Sequence, residues 1–297
     1  MIKRERERER DLEFKSKSKK IIFDFGCNNG QNLKYFLEKA DIVVAVEPNS
    51  NLCRKIKNKY INHINNKRLF IENVCLGSTN GKVDFYISND SDMLSSLSKE
   101  YLINFKKIKI KAITPKNIVK KYLRKFNLKN VEYIKIDVEG FDDMILKNLF
   151  DNKIYPKYLS AECHRTQVLN LVLFSPYKSF KVLPGEDIEN LYKNTTITDK
   201  NNKKMNFCFP KHSSGPYGHD AFKHNFFLKD DLIIYFMNNG CGWKDLICSL
   251  DREEHIQPIE YNPQIHNDSL RYHLKKIIPS FCKMIKTRIT KYNFFKK

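Results

Sequence analysis

Short apolar runs alternate with helical patterns between residues 20 and 164, and this alternation constrains the fold more than any other feature of the sequence. Each run ends in polar or turn-forming residues, as in KKIIFDFG, DIVVAVEP, RLFIENVCLG, VEYIKIDVEG and KYLSAECH. The segments between them carry apolar residues at helical spacing, for example Leu33, Phe36 and Leu37. This alternation predicts an α/β fold, in which a mostly parallel sheet has helices on both of its faces.

The loop after the first strand is a candidate ligand site, because ligands bind at the carboxyl ends of parallel strands. It reads DFGCNNG from Asp24 to Gly30, and its glycines allow a sharp turn and close approach to a ligand. Glu47 ends the second strand about 20 residues later, where an acid accepts the ribose hydroxyls of an adenosine cofactor. A dinucleotide needs G-x-G-x-x-G, whereas Asn28 replaces the second glycine here. We therefore predict S-adenosylmethionine, which has no pyrophosphate.

The ends of two later strands carry the candidate general bases for a methyl transfer. These are Asp137 and Glu139 in IDVEG, and Glu162 and His164 in AECH. We expect Asp137 to lie nearest the transferred methyl group, whereas His164 titrates near neutral pH. Glu139 alternatively caps the following helix, and His164 alternatively bonds to backbone. We predict no metal; the alternative is a divalent cation held by Asp137, Glu162 and His164.

A long polar stretch separates the predicted strands KSFKVLPG and HNFFLKD, and it ends in HSSGPYGHD. The glycines and the proline of this segment indicate a shaped loop. We predict a substrate lid over residues 185–222, with Tyr217, His219 and Asp220 binding the acceptor. The alternative is an ordinary surface loop.

The net charge is +20, from 54 basic and 34 acidic residues, and much of the excess lies near the two ends. We divide the chain into a charged leader (1–19), a catalytic domain (20–230) and a basic extension (231–297). The basic tail from residue 269, with its apolar stripe, indicates either peripheral membrane contact or a helix packed on the catalytic domain. Eight scattered cysteines without a C-x-x-C pair indicate a reducing, cytoplasmic compartment.

Five segments resemble the successive motifs of the FkbM-type S-adenosylmethionine-dependent methyltransferases. They are FDFGCNNG, VVAVEPN, ENVCLGSTNGKVDFY, DMLSSL and YIKIDVEGFDDMILKNL, and IDVEG is the most specific piece. The resemblance covers residues 20–165 well and 165–230 more loosely. It implies a class I methyltransferase (Rossmann-like) fold with a seven-stranded, mostly parallel sheet. It also implies methylation of hydroxyl oxygens on sugars, glycolipids or natural products.

The resemblance further implies roles for individual residues. Those that match the cofactor-binding positions of the family are Asp24, Gly26, Asn28, Gly30, Glu47, Asn73 and Val74. Ser95 and Ser96 match a small-residue pair before the fourth main strand, and Ser96 is expected to bind the cofactor. Asp137, Glu139 and Gly140 match the fourth motif of the family. Cys27 stands where the family more often has alanine, which is a mild departure.

We therefore predict an O-methyltransferase that acts on a sugar, a glycan or a related small molecule. One alternative is an RNA methyltransferase that uses the basic surface, which ranks lower because the sequence shows no RNA-binding module. Another is a non-catalytic binding protein on the same fold, and the presence of Asp24, Glu47 and Asp137 argues against it.

Overall fold

The computed structural model describes residues 19–88, 97–98, 104–185, 188–222 and 226–253. The strands of this part of the chain are β1 (Ile21–Phe25), β2 (Ile42–Val46), β3 (Leu69–Glu72), β4 (Cys75–Leu76), β5 (Gly81–Ser88), β6 (Phe105–Ile113), β7 (Tyr133–Ile136), β8 (Tyr158–Glu162), β9 (Ser179–Pro184), β10 (Thr195–Thr198), β11 (Lys204–Phe207) and β12 (Lys244–Ser249). The helices are α1 (Leu33–Lys39), α2 (Ser50–Lys59), α3 (Ile61–Asn65), α4 (Pro115–Phe126), α5 (Asp142–Asp151), α6 (Thr166–Leu173), α7 (Ile188–Leu191), α8 (His219–Phe222) and α9 (Lys229–Asn239).

The main sheet has seven strands in the order β3-β2-β1-β7-β8-β12-β9. The pairs from β3 to β8 are parallel, whereas β12 runs antiparallel to both β8 and β9. Every residue of β1, β2, β7 and β8 is buried, because helices and loops cover both faces of the sheet. The predicted fold class, with a seven-stranded and mostly parallel sheet, is confirmed.

Local sequence signals set the ends of the helix α4, which packs beside the sheet. Pro115 stands in its first turn, where the missing backbone N–H costs nothing. Asn127 adopts the left-handed conformation and ends the helix. The buried residues Ile118, Val119 and Tyr122 lie on the face of this helix that joins the core.

A second, three-stranded sheet in the order β4-β6-β5 adjoins the main one. The strands β5 and β6 are antiparallel, and Phe85 pairs with Ile108 in their register. The predicted strand RLFIENVCLG divides into β3 and β4, and only β4 joins this second sheet. The strand β6 was not predicted, although FKKIKIKAI alternates in the way that a half-exposed strand does.

The predicted end of the catalytic domain at residue 230 is wrong, because the main sheet continues beyond it. The strand β12 inserts between β8 and β9, so residues 244–249 complete the sheet. The predicted strand HNFFLKD is also wrong. Of its described residues, Phe227 makes an isolated bridge to Phe180, and Lys229 already begins the helix α9.

The predicted lid over residues 185–222 instead packs on the main sheet. Its buried aromatic residues join Tyr35, Phe36 and the sheet residue Tyr133 in one hydrophobic cluster. The ring of Tyr217 stacks on that of Tyr133, with centroids 4.0 Å apart and planes 6° from parallel. The described part of this segment therefore supplies one side of the core.

Candidate active site

The carboxyl ends of β1, β2 and β7 border a cleft with about 810 Å³ of space, part of it open to solvent. The chain leaves β1 for β2 on one side and reaches β7 on the other, which makes this a topological switch point. The lining residues are Gly26, Asn28, Gln31, Asn32, Val46, Glu47, Pro48, Val74, Cys75, Leu76, Phe85, Leu97, Lys135, Asp137, Val138, Glu139 and Phe141. The cleft thus lies where an α/β sheet binds its ligand.

Glu47 lies in the wall of the cleft and is 6% exposed. Its Oε2 accepts a hydrogen bond from the backbone N–H of Asn28 at 3.0 Å, and its Oε1 accepts one from Asn49 at 2.8 Å. Burial raises the pKa of Glu47 to about 7, although both hydrogen bonds act to lower it. Since a carboxylate oxygen accepts two hydrogen bonds, each oxygen keeps a position for a ligand donor.

A buried lysine links the ends of β1 and β7. The Nζ of Lys135 lies 2.9 Å from Asp137 Oδ2 and 3.6 Å from Asp24 Oδ1, and it donates to the carbonyl of Gly26 at 3.4 Å. Burial lowers the pKa of Lys135, but Asp137 and Asp24 raise it more, so the lysine stays charged. Burial also raises the pKa of Asp24 to about 6, against the attraction of Lys135. This lysine fixes the first loop relative to β7.

Left-handed backbone conformations occur at two residues that line the cleft, Asn28 with φ of 48° and Glu139 with φ of 52°. Residues other than glycine rarely adopt them, and such strain concentrates at ligand sites. Gly26 has φ of 81°, and a Cβ atom there would lie 1.7 Å from the carbonyl oxygen of Asp137. Only glycine therefore lets the loop after β1 approach β7 so closely.

Carboxyl groups are concentrated after β7, at the carboxyl end of β8 and at the start of β12. Burial and then the neighbouring Asp137 raise the pKa of both Glu139 and Asp142 to about 8. Burial and then Glu162 raise the pKa of Asp245 well above its usual value. With pKa values of about 8, Glu139 and Asp142 keep their protons near neutral pH, so they can exchange hydrogen bonds with neutral hydroxyl groups.

Glu162 and His164 form a pair at the end of β8. The Nε2 of His164 lies 3.1 Å from Glu162 Oε2, and this hydrogen bond raises the pKa of the imidazole. The side chain of Glu162 is 9% exposed and that of His164 is 42% exposed. Both line a small pocket with Gly140 and Asp142, next to the cleft residues Glu139 and Phe141 in the chain. The exposed imidazole can accept a proton while the carboxylate orients it.

The structure brings six of the predicted site residues together in the cleft. Those that line the cleft are Gly26, Asn28, Glu47, Val74, Asp137 and Glu139. Asp24 is instead fully buried beneath the loop, and neither of its carboxylate oxygens accepts a hydrogen bond from the described residues. Asn73 supports the end of β2, because its side chain donates to the carbonyls of Glu47 and Pro48 at 2.9 Å.

Gly30 lies outside the lining of the cleft, and two predicted serines are not described by the structure. A Cβ atom at Gly30 would lie 2.9 Å from Leu33 Cδ1, so this glycine makes room for the helix α1. Ser95 and Ser96 lie outside the described residues, although Leu97 beside them lines the cleft.

The acceptor role predicted for Tyr217 and Asp220 is wrong, because both side chains are used inside the core. Tyr217 is 1% exposed and stacks on Tyr133. Asp220 is 3% exposed and accepts from Lys39 Nζ at 2.6 Å. His219 is exposed, but it does not line the cleft or the small pocket beside it.

Lys135 is the main cleft residue that sequence reasoning missed. It lies in YIKID, where a charged residue interrupts an otherwise apolar and buried strand. Lysine is almost never fully buried unless it is paired, so a lysine within this apolar run indicates a buried ion pair.

The residues of the cleft fit S-adenosylmethionine. Glu47 can accept the ribose hydroxyls, and the apolar side chains of Val74, Leu76, Phe85 and Leu97 can border the adenine. Asp137 and the carboxylate of Asp24, which lacks a hydrogen-bonded partner beneath the loop, supply negative charge for the ammonium and sulfonium groups. No group of three or more His, Cys, Asp or Glu side chains in the described part of the chain is placed to hold a metal ion.

The described residues contain no helix with the length and apolar character needed to cross a membrane.

Comparison with solved structures finds proteins of low sequence identity. The methyltransferase FkbM from Methylobacillus flagellatus is 15% identical, with a TM-score of 0.36 over 56% of this chain and 40% of that one. An S-adenosylmethionine-dependent O-methyltransferase from Thermotoga maritima is 9% identical, with a TM-score of 0.37 over 82% of this chain and 64% of that one. A methyltransferase from Streptococcus mutans, in complex with S-adenosylhomocysteine, is 10% identical, with a TM-score of 0.33 over 81% of this chain and 96% of that one.

The chain thus spans well under half of the Methylobacillus protein. No curated protein matches the sequence. The family model of the methyltransferase FkbM domain matches residues 24–171, which run from the first loop of the cleft through β8 to the helix α6. This matched region contains the cleft, Glu47, the Lys135 pair and the Glu162–His164 pair. Residues 24–171 therefore match the methyltransferase FkbM domain, and the cleft within them fits S-adenosylmethionine as the cofactor.

Proposed function

We propose that this methyltransferase transfers its methyl group to a hydroxyl oxygen of a sugar, a glycan or a related small molecule. S-adenosylmethionine supplies an activated methyl group, so the protein must align the acceptor and remove a proton. The observation that supports this reaction is the Glu162–His164 hydrogen bond at the carboxyl edge of the sheet, beside the cleft.

His164 is the proposed general base. An alkyl hydroxyl keeps its proton at neutral pH, so its transfer as a nucleophile needs a base within hydrogen-bond reach. The imidazole of His164 is partly exposed, and its raised pKa makes it a better proton acceptor than an isolated histidine. Glu162 orients the ring and stabilises the imidazolium that forms.

Asp137 is assigned to binding rather than to proton removal. Its carboxylate is paired with Lys135 at 2.9 Å, so one of its oxygens is already engaged in holding the end of β7 to the first loop. The pair lies at the cleft wall next to the first loop, where it supports the methionine end of the cofactor.

The carboxyl groups near His164 support a neutral acceptor. Burial and neighbouring carboxylates raise the pKa values of Glu139, Asp142 and Asp245, so these groups keep their protons near neutral pH and can share hydrogen bonds with a polyhydroxylated acceptor. RNA is the competing acceptor, and transfer assays with both classes distinguish them.

Methyl transfer from radiolabelled S-adenosylmethionine tests the proposal. The acceptors are a panel of methyl pyranosides and a short RNA, and the variants are His164→Gln and, as a control, His63→Gln, which lies on α3 away from the cleft. We expect transfer to a pyranoside, lowered about 10²-fold in kcat by His164→Gln and unchanged by His63→Gln. Calorimetry with S-adenosylhomocysteine should give the same affinity for all three proteins.

The pH dependence of kcat distinguishes a base from a merely structural histidine. The rate should rise with pH as His164 loses its proton. Since Glu162 raises the pKa of His164, Glu162→Gln should move this rise to lower pH. Transfer to the RNA alone, or an unchanged rate in His164→Gln, would contradict the proposal.

A further inference from the structure

Trp243 is the one tryptophan of the chain, and it is 41% exposed. Trp243 directly precedes β12. Because β12 runs antiparallel to β8 and β9, the first residues of β12 lie beside the last residues of those two strands. In the register, Asp245 pairs with Glu162 and Lys244 pairs with Pro184. The indole is therefore at the same carboxyl edge of the sheet as the Glu162–His164 pair.

The backbone places Trp243 and His164 on adjacent segments. The N–H of Gly242 donates to the carbonyl of Cys163 at 3.1 Å, and the N–H of Cys163 donates to the carbonyl of Lys244 at 2.8 Å. Trp243 stands between Gly242 and Lys244, and His164 directly follows Cys163. The exposed indole and the proposed base thus emerge from two paired strand ends.

Gly185 gives the indole a defined seat. A Cβ atom at this glycine would lie 2.3 Å from Trp243 Nε1 and 2.5 Å from two further atoms of the ring. Its N–H also donates to the carbonyl of Trp243 at 3.1 Å. Any side chain here would displace the ring, so the indole rests against glycine backbone at the end of β9.

His212 is a second ring at this position. Its plane is 14° from parallel to that of Trp243, with the ring centroids 6.4 Å apart. His212 is exposed and has φ of 60°, a conformation that costs energy in residues other than glycine and is common at ligand sites. The HSSGPYGHD segment therefore does reach the carboxyl edge, through its first residue.

An exposed indole beside carboxyl groups matches the chemistry of a sugar ring. The C–H groups of a pyranose carry positive partial charge and pack on the negative face of an aromatic ring. Its hydroxyl groups can exchange hydrogen bonds with the nearby carboxyl groups of Glu162 and Asp142. A nucleobase also stacks on tryptophan, so RNA is the competing ligand that the binding experiment must exclude.

We propose that Trp243, with His212 beside it, is the platform on which a sugar ring of the acceptor packs while its hydroxyl group faces His164. This inference rests on the proposed function, because it identifies the acceptor of the same site as a pyranose. Trp243 acts here as a binding residue that determines specificity and takes no part in the proton transfer.

Intrinsic fluorescence tests binding without any methyl transfer, because Trp243 is the sole tryptophan. The full chain, saturated with S-adenosylhomocysteine, is titrated with methyl pyranosides or with a short RNA. We expect the emission of Trp243 to shift with at least one pyranoside, saturably at millimolar concentration, and not with the RNA. A shift with the RNA alone, or with neither probe, would overturn the proposal.

Kinetics with the pyranoside test the contribution of the ring. Trp243→Ala should raise KM about five- to tenfold, Trp243→Phe should largely restore it, and kcat should change less. The control is Ile61→Ala, an exposed apolar residue on α3, which should leave KM unchanged. If the wild-type protein methylates a pyranoside and Trp243→Ala keeps its KM, the platform is refuted while the proposed function stands. If no pyranoside is methylated but emission shifts, the proposed function fails and the binding platform stands.

Discussion

Glu47 and Asp220 are both buried carboxylates, yet their surroundings differ in kind. Glu47 accepts hydrogen bonds from two backbone N–H groups in the cleft wall, and its pKa is raised to about 7. Asp220 accepts from Lys39 Nζ at 2.6 Å, and it also meets the hydroxyl of Tyr35 and the N–H of Thr198. Lys39 neutralises the charge of Asp220 inside the protein, whereas the described residues place no cation beside Glu47.

This difference separates a residue that stabilises the fold from one that binds a ligand. A buried charge with a full set of partners has nothing left to offer a ligand, and its removal leaves the partner uncompensated. A buried charge held only by backbone amides keeps acceptor positions and gains most when a ligand donates to them. A neutral substitution of Asp220 should therefore lower the stability of the fold, whereas one of Glu47 should lower the affinity for the cofactor.

The largest effect is expected from Asp220→Asn, which leaves Lys39 buried without its counter-charge. We expect a loss of about 3–5 kcal/mol in the free energy of unfolding, measured by urea denaturation at pH 7. The protein that remains folded should bind S-adenosylhomocysteine with unchanged affinity, since Asp220 does not line the cleft.

The matched control is Asp151→Asn, which breaks the exposed pair between Asp151 and Lys147. Exposed pairs contribute little, so the cost should stay below about 0.5 kcal/mol. If Asp220→Asn is as mild as this control, or weakens cofactor binding, the assignment of Asp220 to the core is wrong.

Glu47→Gln should produce the next largest effect, which is a loss of cofactor affinity and not of stability. We expect the Kd for S-adenosylhomocysteine to rise about 10- to 100-fold, because hydrogen bonds to a charged group contribute about 1.5–3 kcal/mol. With the pKa of Glu47 at about 7, wild-type affinity should increase as the pH rises through that value and the carboxylate forms. Calorimetry at several pH values should show that Glu47→Gln lacks this increase.

Glu72→Gln is the control for this prediction, since Glu72 ends the next strand but does not line the cleft. Its carboxylate accepts from the hydroxyl of Tyr122 at 2.5 Å, so its loss affects packing more than ligand binding. Equal effects of the two variants on Kd would contradict the ribose role of Glu47.

The parts of the fold that could be predicted are those whose signals are local in the sequence, and the parts that could not depend on contacts between distant segments. The strands β1, β2, β7 and β8 and the helices after them were predictable because each signal is local in sequence. The strand β12 was not, because KDLICS is short and joins the sheet between β8 and β9 only through tertiary pairing. For the same reason, the segment that ends at Phe222 looked like a lid although it packs on Tyr133.

At the site, residue type and position at a strand end were enough to identify Glu47, Asp137 and Glu139 as cleft residues. They were not enough for Asp220, because nothing in the sequence indicates that Lys39, far away in the chain, supplies its counter-charge. The position of Lys135 in an apolar run is a sequence signal for a buried, paired cation, whereas nothing in the sequence shows that Trp243 is exposed at the carboxyl edge.

Asp24→Asn tests whether a third buried carboxylate behaves like Glu47 or like Asp220. Burial raises the pKa of Asp24 from 3.8 to about 6, so the folded protein holds this proton more tightly than the unfolded chain does. Its contribution to stability is therefore present below about pH 4 and is lost as the pH rises through about 6. Asp24→Asn removes this loss while Lys135 keeps Asp137 at 2.9 Å. Relative to the wild type, the variant should gain about 2 kcal/mol between pH 4 and pH 7, measured by denaturation without cofactor. A loss of stability at pH 7, as expected for Asp220→Asn, would show that Asp24 is neutralised in the fold like Asp220.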